Sequence, residues 1–222
     1  MTRIYIWILT ISVCLAILIV GLYLFSDVAR GIRRHRVSGY EVVEIPGILS
    51  SAECDELMRY SQTQKMVKSE VVSTDTAGKS ITDTNTRDSL TLWIRNEQHP
   101  LAEKMAKTAR EWTGLHKNKQ DKLQVVKYNE GGMFHPHYDA QYGSDTATRC
   151  ATLLVYLNDD FEGGETSFVD IGVSVRPEKG KGILFWTLDD KGKIIPQAKH
   201  GGEKVRLGNK WICTKWVHLD AP

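Results

Sequence analysis

The segment LQVVKYNEGGMFHPHYDA, Leu123 to Ala140, supports two readings at once. Leu123 to Tyr128 is a β-branched and aromatic run of strand length. Further on, His137 and Asp139 stand two residues apart, and on a strand such residues project to one face. Two ligands do not complete a metal site, so a third is expected from a distant part of the chain. Downstream of the pair stand His200 and His218. His200 precedes Gly201-Gly202, where the backbone can pack closely around a ligand, and is the favoured third ligand; His218 lies near the chain end. Two imidazoles and one carboxylate suit iron(II) with coordination positions left open. Taken alone, a His-x-Asp pair is a common chance pattern, and either histidine is also readable as a hydrogen-bonded core residue.

Outward from this segment, strand-like runs recur at Cys150 to Leu157, Thr166 to Val169, Gly172 to Arg176, Gly182 to Trp186 and Trp211 to Leu219. Gly and Asp clusters separate them at short intervals, which predicts a sandwich or barrel. The preceding part is mixed. Tyr40 to Ile45 reads as a strand ended by Pro46-Gly47. Ser50-Ser51-Ala52-Glu53 is a capping box opening a helix to about Gln62. Ser69 to Ser73 reads as a short strand, and the polar Thr74 to Ser89 as a loop or loop-rich hairpin. Pro100 opens a second helix to about Trp112, with Leu101, Met105, Ala109 and Trp112 on one face. The expected class is α+β, with helices first and a β-rich half carrying the site.

Lys210, ten residues beyond His200, offers a fixed cation for the far carboxylate of a dicarboxylate bound at the metal. Trp211 and Trp216 beside it are expected to exclude water. Gly163-Gly164-Glu165-Thr166 reads as a turn entering a strand, and the Thr166 hydroxyl and Tyr128 phenol are further donors to that carboxylate.

Together the stretches LQVVKYNEGGMFHPHYDA, RCATLLVYLND, FEGGETSF, Pro177 to Phe185 and the His200 to His218 segment resemble the 2-oxoglutarate/iron(II) dioxygenase superfamily, most closely its prolyl 4-hydroxylase branch. The resemblance spans about Tyr40 to His218. It implies a jelly roll, the double-stranded β-helix, with supporting N-terminal helices. It implies His137, Asp139 and His200 as iron(II) ligands, and Lys210 as the partner of 2-oxoglutarate assisted by Tyr128 and Thr166. It also implies O2 as cosubstrate, ascorbate as a further cofactor, and hydroxylation of a proline-rich or collagen-like peptide with release of succinate and CO2. Arg149 and Trp216 match peptide-pocket residues of the family. Tyr138 is an aromatic expected to pack on the peptide, and Arg87 lies in a segment, Thr86 to Ser89, that only partly matches the family's Arg-Thr-Ser pattern. Phe134 stands where relatives often carry tyrosine. Two rival readings stay open: a dioxygenase acting on lysyl or small-molecule substrates, and a jelly roll that only binds.

At 222 residues the chain suits one domain plus a short appendage. Its net charge of +2 is too small to suggest a nucleic-acid partner. Of its four cysteines, Cys14 lies in an apolar segment; Cys54, Cys150 and Cys213 leave room for one bridge at most. Ile4 to Phe25 carries no charge and is long enough, at about 1.5 Å per residue, to span about 30 Å of hydrocarbon as a helix. Residues 1–25 are therefore expected to form a single transmembrane anchor, 26–38 a basic linker and 39–222 the catalytic domain. Arg30, Arg33, Arg34 and Arg36 after the span argue for a cytosolic domain. The resemblance implies a lumenal one, at the endoplasmic reticulum membrane. Oligomeric state is not legible in the sequence.

Overall fold

The computed structural model describes residues 27–72, 80–115, 119–140 and 148–219. The chain divides into two compact units, Met1–Arg33 and Arg34–Pro222. In the first, residues 27–29 are helical, and the Gly31 N–H closes a turn on Val28 O at 3.0 Å. The expected membrane anchor and Cys14 lie outside the described residues. Among the described residues, no helix is long and apolar enough to cross a membrane.

In chain order the described elements are β1 (Arg33–Val37), β2 (Tyr40–Ile45), helix α1 (Ser51–Thr63), β3 (Val67–Lys68), β4 (Val71–Val72), β5 (Ser80–Ile81) and β6 (Leu90–Ile94). Helix α2 (Pro100–Thr113), β7 (Leu123–Tyr128), β8 (Phe134–His137), β9 (Arg149–Tyr156), β10 (Glu162–Gly163), β11 (Thr166–Phe168) and β12 (Val173–Val175) follow. The last four are β13 (Gly182–Trp186), β14 (His200–Gly202), β15 (Val205–Leu207) and β16 (Lys210–His218). The fold is thus mostly β.

A large sheet runs β1-β2-β13-β9-β16-β7-β6-β3, and a smaller one runs β12-β11-β14-β8. Both are built from antiparallel pairs. Apolar side chains from the two sheets, among them Val126, Tyr156, Ile183 and Phe185 on one side and Phe168 and Val175 on the other, share one core cluster. Two facing antiparallel sheets closed over such a core make the double-stranded β-helix.

Strand β16 explains how this sheet is covered on both faces. Lys210, Ile212, Thr214 and Trp216 alternate with Trp211, Cys213, Lys215 and Val217, and all eight are buried. The first set faces the interior between the sheets; the second faces the layer to which α2 belongs, since α2 packs on β16 and β7. Alternation of side chains across the pleat makes both sets face apolar surroundings. Both helices start and stop as expected. In α1 the Glu53 N–H donates to Ser50 Oγ and the Ser50 N–H to Glu53 Oε2 at 2.8 Å. In α2 Pro100 occupies the first turn, Gly114 ends the helix in the left-handed region, and Leu101, Met105 and Ala109 are buried.

Part of the run read as a basic linker is a strand. Across the β1–β2 hairpin, Arg34 and Arg36 pair with Glu41 at 2.8 and 2.6 Å, and His35 Nε2 meets Glu44 Oε1 at 2.6 Å. The charges that resembled a solvated tether are cross-strand partners. The short strands β3, β6, β14 and β15 were also not read from the sequence, and β8 (Phe134–His137) only through the two-residue spacing of His137 and Asp139. Cys54, Cys150 and Cys213 are all free and buried, so no bridge forms among them.

Gly180 holds the β9–β13 corner against the entry to α1. Its φ is +83°, its N–H donates to Tyr156 O at 2.8 Å, its carbonyl accepts from the Leu49 N–H, and a Cβ there would collide with Leu49 O. Gly180→Ala should cost about 2–4 kcal/mol in urea unfolding, because backbone strain and collision add. Gly39→Ala, at φ +78° with open space around it, should cost only about 1 kcal/mol.

Candidate active site

The antiparallel pairing of β14 with β8 sets His200 opposite His137. Asp139 follows the end of β8 by two residues, beyond the strand itself. One ligand atom from each of His137, Asp139 and His200 lies within 4.8 Å of the others. His137 Nε2 is 3.4 Å from Asp139 Oδ1, and His200 Nε2 is 3.7 Å from Asp139 Oδ2. The opposite ring nitrogens are engaged: His137 Nδ1 donates to His135 O at 2.8 Å and His200 Nδ1 to Ala198 O at 3.0 Å. Those bonds select the tautomer that leaves each Nε2 lone pair facing the centre.

Burial alone would raise the Asp139 carboxyl, but the imidazoles of His200 and His137 and a hydrogen bond outweigh it and hold it well below the usual range. That bond comes from the Thr152 hydroxyl, 2.6 Å from Oδ2. Burial pushes His200 down to about 4, against the pull of Asp139. An ionised carboxylate beside imidazole Nε2 lone pairs is the arrangement that binds a divalent cation. Phe134 stacks on His137 with ring centroids 3.6 Å apart, and Phe185 meets His200 edge-on.

These ligands line a cleft of about 450 Å3, partly open to solvent, that also reaches Lys210, Tyr128 and Thr166. Lys210 is 2% exposed and donates to Gly164 O at 2.6 Å. The Tyr128 and Tyr156 rings lie 5.3 and 5.6 Å from its Nζ. Among the described residues no carboxylate forms an ion pair with it. Burial pushes its pKa down to about 8, with Glu165 and Glu203 opposing at longer range. Thr166 Oγ1 accepts the Tyr156 hydroxyl at 2.7 Å, which leaves its own proton available.

The 2OG-Fe(II) oxygenase superfamily model matches residues 123–218, which contain every one of these groups. Probable prolyl 4-hydroxylase 3 of Arabidopsis thaliana is 33% identical over 194 residues, covering 77% of this chain and 67% of that protein. Prolyl 4-hydroxylase 1 of the same plant is 30% identical over 81% of this chain and 69% of its own length. This chain belongs to the prolyl 4-hydroxylase family of 2OG-Fe(II) oxygenases. A viral collagen prolyl hydroxylase from Paramecium bursaria Chlorella virus-1, solved as its 2OG complex, superposes with a TM-score of 0.65 at 28% identity, covering 79% of this chain and 94% of that one.

The residues present fit both groups that a 2OG-Fe(II) oxygenase binds. Two imidazoles and one carboxylate on one side of a cleft form the facial donor set of iron(II) enzymes. A buried ammonium with only a carbonyl and two aromatic faces around it is costly unless an anion enters the cleft. The terminal carboxylate of 2-oxoglutarate is such an anion.

Other expected site residues divide. Trp216 and Arg87 line the cleft. Arg149 does not; it pairs with Asp121 at 2.7 Å and lies 3.9 Å from the centre of the Trp216 ring, so it backs a cleft residue. Tyr138 is not among the lining residues. Trp211 is turned away from Lys210 by the pleat of β16. His218, the rival third ligand, is tied to Asp121 at 2.8 Å and to Thr148 at 2.8 Å. Sequence reading missed Gln124, Thr152 and Thr214, all in the cleft lining. Period two was the available signal: Gln124 lies four residues before Tyr128, and Thr214 four after Lys210.

Thr152→Val removes the hydroxyl that orients Asp139 while keeping its shape. It should weaken Co(II) binding by about tenfold or more, read from visible absorption on titrating metal-free protein.

Proposed function

We propose that this protein hydroxylates prolyl residues of an extended proline-rich or collagen-like peptide, consuming O2 and 2-oxoglutarate and releasing succinate and CO2. One observation carries the reading: a three-ligand metal cluster and a buried, acid-free ammonium share a single cleft. In it, His137, Asp139 and His200 hold iron(II), and Lys210 holds the far carboxylate of 2-oxoglutarate with help from Thr166 and Tyr128. Iron(II) supplies O2 activation coupled to decarboxylation of the cosubstrate, with ascorbate as its reductant. The protein contributes position and dryness. The apolar walls, Leu154, Ile212 and Phe134, exclude water and strengthen the attraction between Lys210 and the carboxylate. Arg87, held by Ser89 Oγ at 3.2 Å and Gln124 Oε1 at 3.3 Å, presents its guanidinium over the Phe134 ring at the cleft wall. There, with Trp216 and its support Arg149, it is placed to meet a peptide carbonyl. Similarity to plant prolyl 4-hydroxylases and to a viral collagen prolyl hydroxylase supports proline over lysyl or small-molecule substrates.

The same proposal takes the uncharged run Ile4 to Phe25 as a single-pass anchor at the endoplasmic reticulum membrane, supported by its length and hydropathy. A lumenal catalytic unit follows the family resemblance, against the arginines that succeed the run.

Incubation of proline-rich peptides with iron(II), 2-oxoglutarate and ascorbate should add one oxygen per modified proline by mass spectrometry. His137→Ala should lose this activity, and full turnover in that variant would refute the ligand assignment. Lys210 supplies a pH test. Only its charged form attracts the carboxylate, and in the free protein it titrates near 8. Affinity for 2-oxoglutarate should therefore be full below pH 8 and fall about tenfold per unit above it. Calorimetry on Mn(II)-substituted protein should show this slope, and Lys210→Met should flatten it at uniformly weak binding.

A further inference from the structure

We propose that Phe134 is a self-hydroxylation site. When iron(II), 2-oxoglutarate and O2 react with no peptide in the cleft, the oxygen atom otherwise delivered to the substrate enters the Phe134 ring. The inference uses the oxygenase centre and does not depend on which peptide is the substrate.

The local strand geometry places the ring. Phe134 and His137 both lie on β8, and the β8–β14 register shifts between the His200–His137 and Gly202–Phe134 pairs. Such an irregularity re-aims side chains on the affected strand, here two that stand three residues apart. Their rings stack with centroids 3.6 Å apart and an interplanar angle of 17°. A bound transition-metal ion sits about 2 Å from an imidazole nitrogen and in the plane of its ring, so an ion on His137 Nε2 lies within roughly 5 Å of the Phe134 ring. The ion thus faces the flat of the Phe134 ring, not its edge. That electron-rich face is the one an electrophilic oxidant must approach.

The ring is also held in place and open to the cleft. The Arg87 guanidinium lies over it, 4.6 Å from the centroid, and the cross-strand partner Gly202 has no side chain to screen it. Among the other apolar lining residues, Tyr128, Leu154, Ile212 and Trp216 are each at most 7% exposed, whereas Phe134 is half-buried. Phe168 and Phe185 meet His200, but they are fully buried and do not line the cleft. With the cleft empty, Phe134 is the accessible oxidisable group beside the ion.

The step balances with what the oxygenase reaction supplies. One atom of O2 enters the ring and the other enters succinate, while CO2 leaves 2-oxoglutarate. A ring C–H bond breaks and a C–O bond forms, and the displaced hydrogen ends as the phenol proton. The cosubstrate gives two electrons and the ring two, so no added reductant is needed. The new phenol oxygen faces the ion, where as phenolate it can occupy a coordination position that the reaction requires.

The test incubates the full chain with iron(II), 2-oxoglutarate and isotopically labelled O2, with and without a proline-rich peptide. Without peptide, the protein should gain one labelled oxygen atom, fragment spectra should place it on Phe134, and a visible iron(III)–phenolate band should grow. Peptide should suppress all three. A second readout needs no turnover: in protein labelled with para-fluorophenylalanine, the fluorine resonance that Phe134→Leu removes should broaden on Mn(II) binding and stay sharp with Zn(II). An unmodified Phe134 in the peptide-free arm, or a resonance that Mn(II) leaves sharp, would overturn the proposal. Oxygen on Phe134 with no hydroxyproline in the peptide would instead count against the prolyl reading and leave this site standing.

Discussion

The pairing of β14 with β8 is the constraint on which the site depends. It sets His200 against His137, and the chain then needs only two more residues past His137 to bring Asp139 to the same centre. The bond from Thr152 on β9, a strand of the opposite sheet, reaches across the sandwich to hold that carboxylate. The metal cluster therefore belongs to the small sheet and is braced from the large one. A shift of one residue in the β8–β14 register would turn one imidazole out of the cleft. The large sheet fixes the depth of the site in the same way, since Lys210 pairs with Tyr128 at the start of β16.

Buried and half-buried charge is tolerated here in three different ways. Lys210 and Lys215 stand five residues apart on β16 and project from opposite faces. Burial pushes each down to about 8. Lys215 donates to Asn96 Oδ1 at 2.7 Å, a structural bond on the face away from the cleft. Lys210 opens onto the cleft, where the partner that offsets its desolvation is a ligand. Arg149 shows a third arrangement: fully paired with Asp121, it acts through the ring it supports. What a basic residue does in this fold follows from which face of a strand it occupies.

Much of the fold was legible because its signals are local. The capping box at Ser50, Pro100 at the start of α2 and the long apolar runs of β7, β9, β13 and β16 each follow from short-range chemistry. The short strands β3, β6 and β14 were not, because a few residues can hold too little periodicity to separate a strand from a loop. The arginines of β1 misled for a related reason: charge composition alone does not reveal that Glu41 and Glu44 lie across a hairpin. The segment from Thr74 to Ser89 was readable as a loop-rich hairpin, and β5 pairs with β4. Asp83 caps the turn that follows and delivers Arg87 to the cleft.

By itself the sequence determined the inventory: two imidazoles, a carboxylate and a lysine in a fixed order along β-rich runs, enough to name the chemistry. Only the tertiary structure decided between His200 and His218, left Tyr138 and Trp211 out of the cleft lining, and brought Thr152 and Gln124 into it. The reason is geometric. Local sequence sets which residues alternate along a strand, but which face becomes the cleft is set by pairing between strands far apart in the chain.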